Sequence, residues 1–212
     1  MGRIGDAFAW VFRDPDWLGK VAVMGLILLI PIVGGINGLG WMLATLDRLR
    51  AGEERLPPAN LDYIGRGFPL FAVYLVYYLA LAVVTVVFYV PAVLVLSSEG
   101  HGQANPPLVA LGLGLIFATV GVVTLGVLAL TFATPSIVLA VDRGGIIAGV
   151  RLGAIVERTR ASPINTLIAG LMLIAAGLIG QLGGVACFIG VVFTSAYALT
   201  MQAWIIRSYE EE

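Results

Sequence analysis

The residues of this chain best suited to chemistry stand together between Ser97 and Asn105, SSEGHGQAN, where Ser98 and Glu99 neighbour the only histidine, His101. Serine, histidine and a carboxylate are the parts of a nucleophilic triad, and His with Glu makes two ligands toward a metal. A triad needs a scaffold that presents its groups from separate elements, and two ligands do not close a metal site, so this glycine-rich turn reads as a solvated loop. Cys187, the only cysteine, lies in an apolar run and by itself forms neither an internal disulfide nor a metal site. A membrane-embedded hydrolase needs a nucleophile with its base, or a set of metal ligands, gathered at one depth. Proton-coupled transport leaves an acid, His or Lys within the membrane, and the apolar runs carry none. The expectation is a protein that is not an enzyme and holds no cofactor and no metal.

What remains is backbone, small residues and arginine. Val21 to Leu46, VAVMGLILLIPIVGGINGLGWMLATL, has no charged residue and is broken by Pro31, Gly34 and Gly35. An interrupted helix exposes backbone groups at membrane depth, where transporters hold ions or substrates, and a simple hairpin turn accounts for the same residues. Gly34 with Gly38, Gly180 with Gly184, and Gly145, Gly149 and Gly153 are spaced for close approach of helix backbones. Asn37, Gln181, Thr194, Ser195 and Gln202 are placed to hydrogen-bond across helices. Arg143, Arg151, Arg158 and Arg160 form a cationic segment suited to anionic lipid headgroups.

The elements that must position these groups follow from composition. Hydrophobic residues make up 59% of the 212 and charged residues 12%, about half the usual charged share, which points to an all-α polytopic transmembrane bundle. A net charge of −1 without a cationic surface argues against a nucleic-acid partner. Residues 1–16 read as an interfacial helix with Ile4, Phe8, Val11 and Phe12 on one face. Residues 17–50 read as a broken helical hairpin, because a single helix over Val21 to Leu46 would span about 39 Å against a hydrocarbon core of about 30 Å. Asp14-Pro15-Asp16-Trp17, Asn105-Pro106-Pro107 and Ser162-Pro163 each pair a capping residue with a proline and predict helix starts.

A polar loop with Pro57-Pro58 separates this hairpin from a second one over 68–141, with bends or ends expected at Pro91 and Pro135. A second interfacial helix covers 142–161, a third hairpin 162–206, and an acidic tail 207–212. If the first run turns back on itself, all twelve cations lie on one face and the two remaining connections carry none. The positive-inside rule then makes that face cytoplasmic, with six membrane-embedded segments and both termini inside.

The order of RDPDW, GLILLIPIVGG, a charged loop with LPP, and a C-terminal FTSAYALTMQAWIIRSY resembles small prokaryotic integral membrane proteins catalogued as a domain of unknown function. The C-terminal part is distantly similar to the membrane domain that accompanies some glycerophosphodiester phosphodiesterases. Both resemblances imply residence in the prokaryotic cytoplasmic membrane, and neither supplies a catalytic residue. The expected role is a structural or interaction protein that self-associates or serves a larger membrane assembly, with lipids and membrane proteins as partners. The alternative is a transporter or channel for an uncharged or lipid-like solute.

Overall fold

A computed structural model describes residues 5–99, 105–184 and 187–211, and among them the regular structure is helical throughout. Arg3, Ile4 and His101 lie outside the described residues, as does the side chain of Cys187. After the short helix α1 (Asp6–Ala9) and a 3-10 turn (Trp10–Arg13) come α2 (Trp17–Leu28), α3 (Val33–Arg50), α4 (Ile64–Glu99) and α5 (Pro106–Gly149). The chain continues with α6 (Leu152–Ala161), α7 (Pro163–Leu182) and α8 (Cys187–Glu210). Three helical stretches are long and apolar enough to cross a membrane: Ile64–Ser98, Pro106–Gly149 and Pro163–Leu182. At about 1.5 Å per residue α7 matches a hydrocarbon core of about 30 Å, while α4 and α5 exceed it.

Prolines open two of the three helices expected to start at them, α2 instead beginning at Trp17, two residues past Pro15, and α4 and α5 run on through Pro91 and Pro135, where a bend or an end was expected. α5 and α7 begin at Pro106 and Pro163, where the missing N–H costs nothing. The Ser162 side chain makes no capping bond, so the proline's fixed φ defines that start. Pro135 lies inside α5, and the break comes ten residues later at Gly145, with φ 67° and ψ −162°, a conformation favoured by glycine. The interfacial helix expected over 142–161 is therefore divided: residues up to Gly149 belong to α5, and only Leu152–Ala161 forms a separate helix.

The chain forms two compact units, Met1–Val73 with Thr131–Glu212, and Tyr74–Leu130. In the first, α8 is the hub, packing against α2, α3 and α7 with Ala196, Met201, Ala203, Ile205 and Ile206 buried. Glycine makes the α2–α8 approach close, since a Cβ on Gly25 would overlap the carbonyl of Val192, and likewise that of α7 to α5, where one on Gly170 would overlap the ring of Phe132. The amino-terminal segment departs from the expected lipid-facing helix. Ala7, Trp10 and Val11 are fully buried, Trp10 stacks on Trp204 at 5.7 Å, and the Tyr197 hydroxyl donates to the Phe8 carbonyl. Aromatic burial against α8 outweighs interfacial placement here. In the second unit, α4 and α5 pair through Leu81 over Gly126 and Leu96 over Gly112, leaving Val83, Val87, Leu94, Phe117 and Leu125 exposed.

Candidate functional site

The broken hairpin turns over Leu29–Ile32, a few residues before the expected centre at Pro31 to Gly35. Val33 N–H donates to the Pro31 carbonyl at 2.7 Å, closing a γ-turn around Ile32, whose φ of 64° and ψ of −60° are costly for a β-branched residue. Leu29, Ile30, Ile32 and Val33 are all exposed at this tip. Gly34 and Gly35 lie inside α3. A Cβ on Gly34 would overlap the Ile27 carbonyl and one on Gly38 the Leu28 side chain, so both serve the α2–α3 turn, whereas Gly35 faces open space.

At the other end of the hairpin, the loop joining α3 to α4 is held by buried polar groups. Asp14, 1% exposed, accepts from Lys20 Nζ at 2.7 Å, Leu56 N at 2.8 Å and Asp16 N at 3.0 Å. The Leu56 carbonyl accepts from Lys20 at 3.0 Å and Arg48 at 3.1 Å, which brings the start of α2 and the end of α3 together. Burial raises the Asp14 carboxyl, but the Lys20 ammonium and the two backbone N–H groups outweigh it and hold its pKa below the ordinary value. Asn37 donates to the Asn60 carbonyl at 2.8 Å and accepts from Tyr63 N at 3.1 Å, while Trp41 Nε1 donates to the Pro57 carbonyl at 3.3 Å. Gly40 and Gly67 complete the clamp: a Cβ on either would overlap the other helix's entry, at the Tyr63 or Ile36 carbonyl.

Beside this clamp lies an ion cluster drawn from four helices. Arg50 reaches Asp142 and Glu210, each at 2.7 Å, and Asp47 at 3.2 Å. Arg66 contacts Asp47 and reaches Asp142 at 3.4 Å, and Arg143 pairs with Glu210 at 2.5 Å. Burial opposes the charge on Arg50, but the two carboxylates prevail and raise its pKa above the ordinary value. For Glu210 burial raises the carboxyl while Arg50 and Arg143 hold it below the ordinary range. The cluster fixes the end of α3, the start of α4, the 142–143 turn of α5 and the end of α8 at one level. A buried hydroxyl cluster lies against the same helices, with Tyr209 3.1 Å from Ser136 and 3.3 Å from Thr166, and Thr159 3.3 Å from Ser136.

A cleft of about 340 Å³ opens between the amino-terminal segment, α2 and α8, lined by Phe12, Trp17, Val21, Phe193, Thr194 and Tyr197. Both of its hydroxyls are engaged: that of Thr194 lies 2.8 Å from the Gly180 carbonyl and 3.0 Å from that of Gly190, and that of Tyr197 donates to the Phe8 carbonyl. Phe12 meets Trp17 edge-on at 4.8 Å and stacks on Tyr197 at 5.9 Å. What the cleft offers a ligand is apolar surface. Among the described residues, Trp10 Nε1 is the only buried side-chain nitrogen or oxygen without a hydrogen-bond partner.

A family model described as Protein of unknown function (DUF4013) matches residues 23–189. The chain belongs to that family. No curated protein and no solved structure matches it. The matched span covers most of the broken hairpin, α4 to α7 and the first residues of α8, and leaves Asp14 and Glu210 outside.

In this DUF4013 member the expected site residues do not converge. Pro31, Gly34 and Gly38 serve the hairpin turn; Gly180 packs on Ala198 with its carbonyl on Thr194; Gly184 follows the end of α7. Of the expected lipid-binding arginines, Arg143 is engaged by Glu210, while Arg151, Arg158 and Arg160 lie on or beside α6. Gly40, Gly67 and Tyr209 were not singled out in the sequence, and Asp14 was expected only as a helix cap, a position that Asp16 takes. Asp14 carried a signal, being a carboxylate before a proline, but its partner Leu56 lies 42 positions away.

Proposed function

We propose that the chain is a non-enzymatic integral protein of the prokaryotic cytoplasmic membrane, acting as a structural or interaction subunit with both termini cytoplasmic. The observation that carries this reading is the ion cluster with its adjoining clamp. Arg13 pairs with Glu54, Lys20 with Asp14, Arg48 with the Leu56 carbonyl, and Arg50, Arg66 and Arg143 with the shared acids, so cations from both sides of the first hairpin meet at one end. That arrangement supports a re-entrant first hairpin and six membrane-embedded segments, with the charged end in the cytoplasm by the positive-inside rule. The arms of about 18 and 27 Å, from 12 and 18 residues, favour an α2 that enters without fully crossing. The buried polar groups tie chain segments to one another and leave the outer surface for recognition.

The apolar cleft favours a second reading, a carrier or channel for a lipid-like solute, since about 340 Å³ of apolar space accepts part of an acyl chain. Extraction of the full-length chain in polymer-bounded native membrane discs, followed by native mass measurement, separates the two. A fixed-stoichiometry assembly with itself or another membrane protein is expected. A monomer retaining a solute that Tyr197→Trp expels would replace the first reading with the second.

A further inference from the structure

We propose that α6 is a binding helix for anionic phospholipid headgroups. Apart from Arg55 in the α3–α4 loop, cations elsewhere in the described residues are answered within the chain: Arg13, Lys20, Arg50, Arg66, Arg143 and Arg207 by carboxylates, and Arg48 by a carbonyl. Arg151, Arg158 and Arg160 have no such partner among the described residues, and Arg151 and Arg160 are exposed. The same short helix exposes apolar side chains, Leu152 at 62% and Val156 at 43%, and these stand with Arg160 on one i, i+4 ridge. Exposed Ile147 before the helix and Ile164 after it extend that apolar surface. Water is a poor neighbour for such a ridge, and a hydrocarbon interior is a poor one for the arginines. The boundary between them, carrying negative charge, satisfies both.

The helix is held firmly enough to present this surface. Ile155 is buried, and Thr159 hydrogen-bonds toward Ser136 while its carbonyl accepts from Thr166 at 3.0 Å, so the opposite face of α6 is docked on α5 and α7. A headgroup phosphate can therefore meet guanidinium groups on a preset helix rather than on a loop that must first be ordered.

This inference rests on the membrane reading, which is tested separately: full-length protein that leaves the membrane pellet after alkaline washing refutes that reading. For lipid recognition, the full-length protein is reconstituted in discs of mixed phosphatidylglycerol and phosphatidylcholine, and retained lipids are counted by native mass spectrometry. Wild type should retain phosphatidylglycerol preferentially, with the preference falling about fivefold for Arg160→Gln and further for the combined Arg151→Gln, Arg158→Gln and Arg160→Gln variant. Arg160→Lys should keep it, and Arg55→Gln, which removes an equally unpaired cation from the α3–α4 loop, should leave it unchanged. If the combined variant fails to fold, the comparison of Gln with Lys at position 160 decides. Wild type without preference, equal loss in Arg55→Gln, no loss in Arg160→Gln, or displacement of the lipid by inorganic phosphate would each overturn the proposal.

Discussion

Replacing Asp14 by alanine should destabilise the fold by about 2–4 kcal/mol. The carboxylate is 1% exposed and accepts three hydrogen bonds, one from Leu56 N across 42 residues. Its removal leaves the N–H of fully buried Leu56 without a partner, at about 1–3 kcal/mol. Lys20 loses its ion pair but keeps the Leu56 carbonyl and is 21% exposed, so its share is discounted to about 1 kcal/mol. The sum, about 2–4 kcal/mol, should appear as a lower unfolding midpoint in mixed micelles and as faster proteolysis between Ala51 and Tyr63. The pH dependence has a fixed sign. Because the folded pKa lies below the unfolded one, this stabilisation is present above the ordinary carboxylate value and is lost as pH falls through the folded pKa. Wild type should therefore lose stability below about pH 4 more steeply than Asp14→Asn. A change within about 0.5 kcal/mol for Asp14→Ala, with unaltered proteolysis, would refute the clamp.

Ile32→Gly should stabilise the hairpin by about 0.5–2 kcal/mol, since relief of a positive-φ conformation outweighs the added chain entropy of glycine; Ile32→Ala, which keeps the strain, should not, and equal unfolding midpoints would contradict this. Gly40→Ala should cost about 1–3 kcal/mol because its Cβ meets backbone of Tyr63 and Gly67, which cannot rotate away. Gly35→Ala, in open space on the same helix, should gain up to about 1 kcal/mol, and the two variants unfolding alike would remove the close crossing from the account.

Features with local causes were legible in the sequence. The uncharged runs, the interruption near Pro31 and the starts at Pro106 and Pro163 depend on neighbouring residues, and helices stand there. Pro135 does not end α5, because a proline removes one hydrogen bond and can be carried inside a long helix, whereas Gly145 takes a positive φ that only tertiary placement reveals. Val11 was expected on a lipid face because its spacing is amphipathic, and spacing does not distinguish lipid from the protein surface of α8. The polar clamp was least legible. Asp14 and Leu56, Gly40 and Gly67, and Ser136 and Tyr209 meet through chain reversals, and no local pattern pairs them. Arg143 and Arg160 look alike in sequence, and only the position of Glu210 separates the cation paired within the chain from the other.

Single-cysteine labelling tests most directly the claim that the charged end faces one side. In a Cys187→Ser background, Glu53→Cys, His101→Cys and Arg158→Cys are probed from outside intact cells with an impermeant thiol reagent. Labelling of the position-101 cysteine alone is expected, with 53 and 158 becoming reactive only after the cells are opened. Adding Asp16→Cys, which should also stay unlabelled, fixes the side of the segment before the first run: labelling from outside at only one of positions 16 and 53 would mean that the first run crosses once, and the re-entrant hairpin with its one-sided charge would be contradicted.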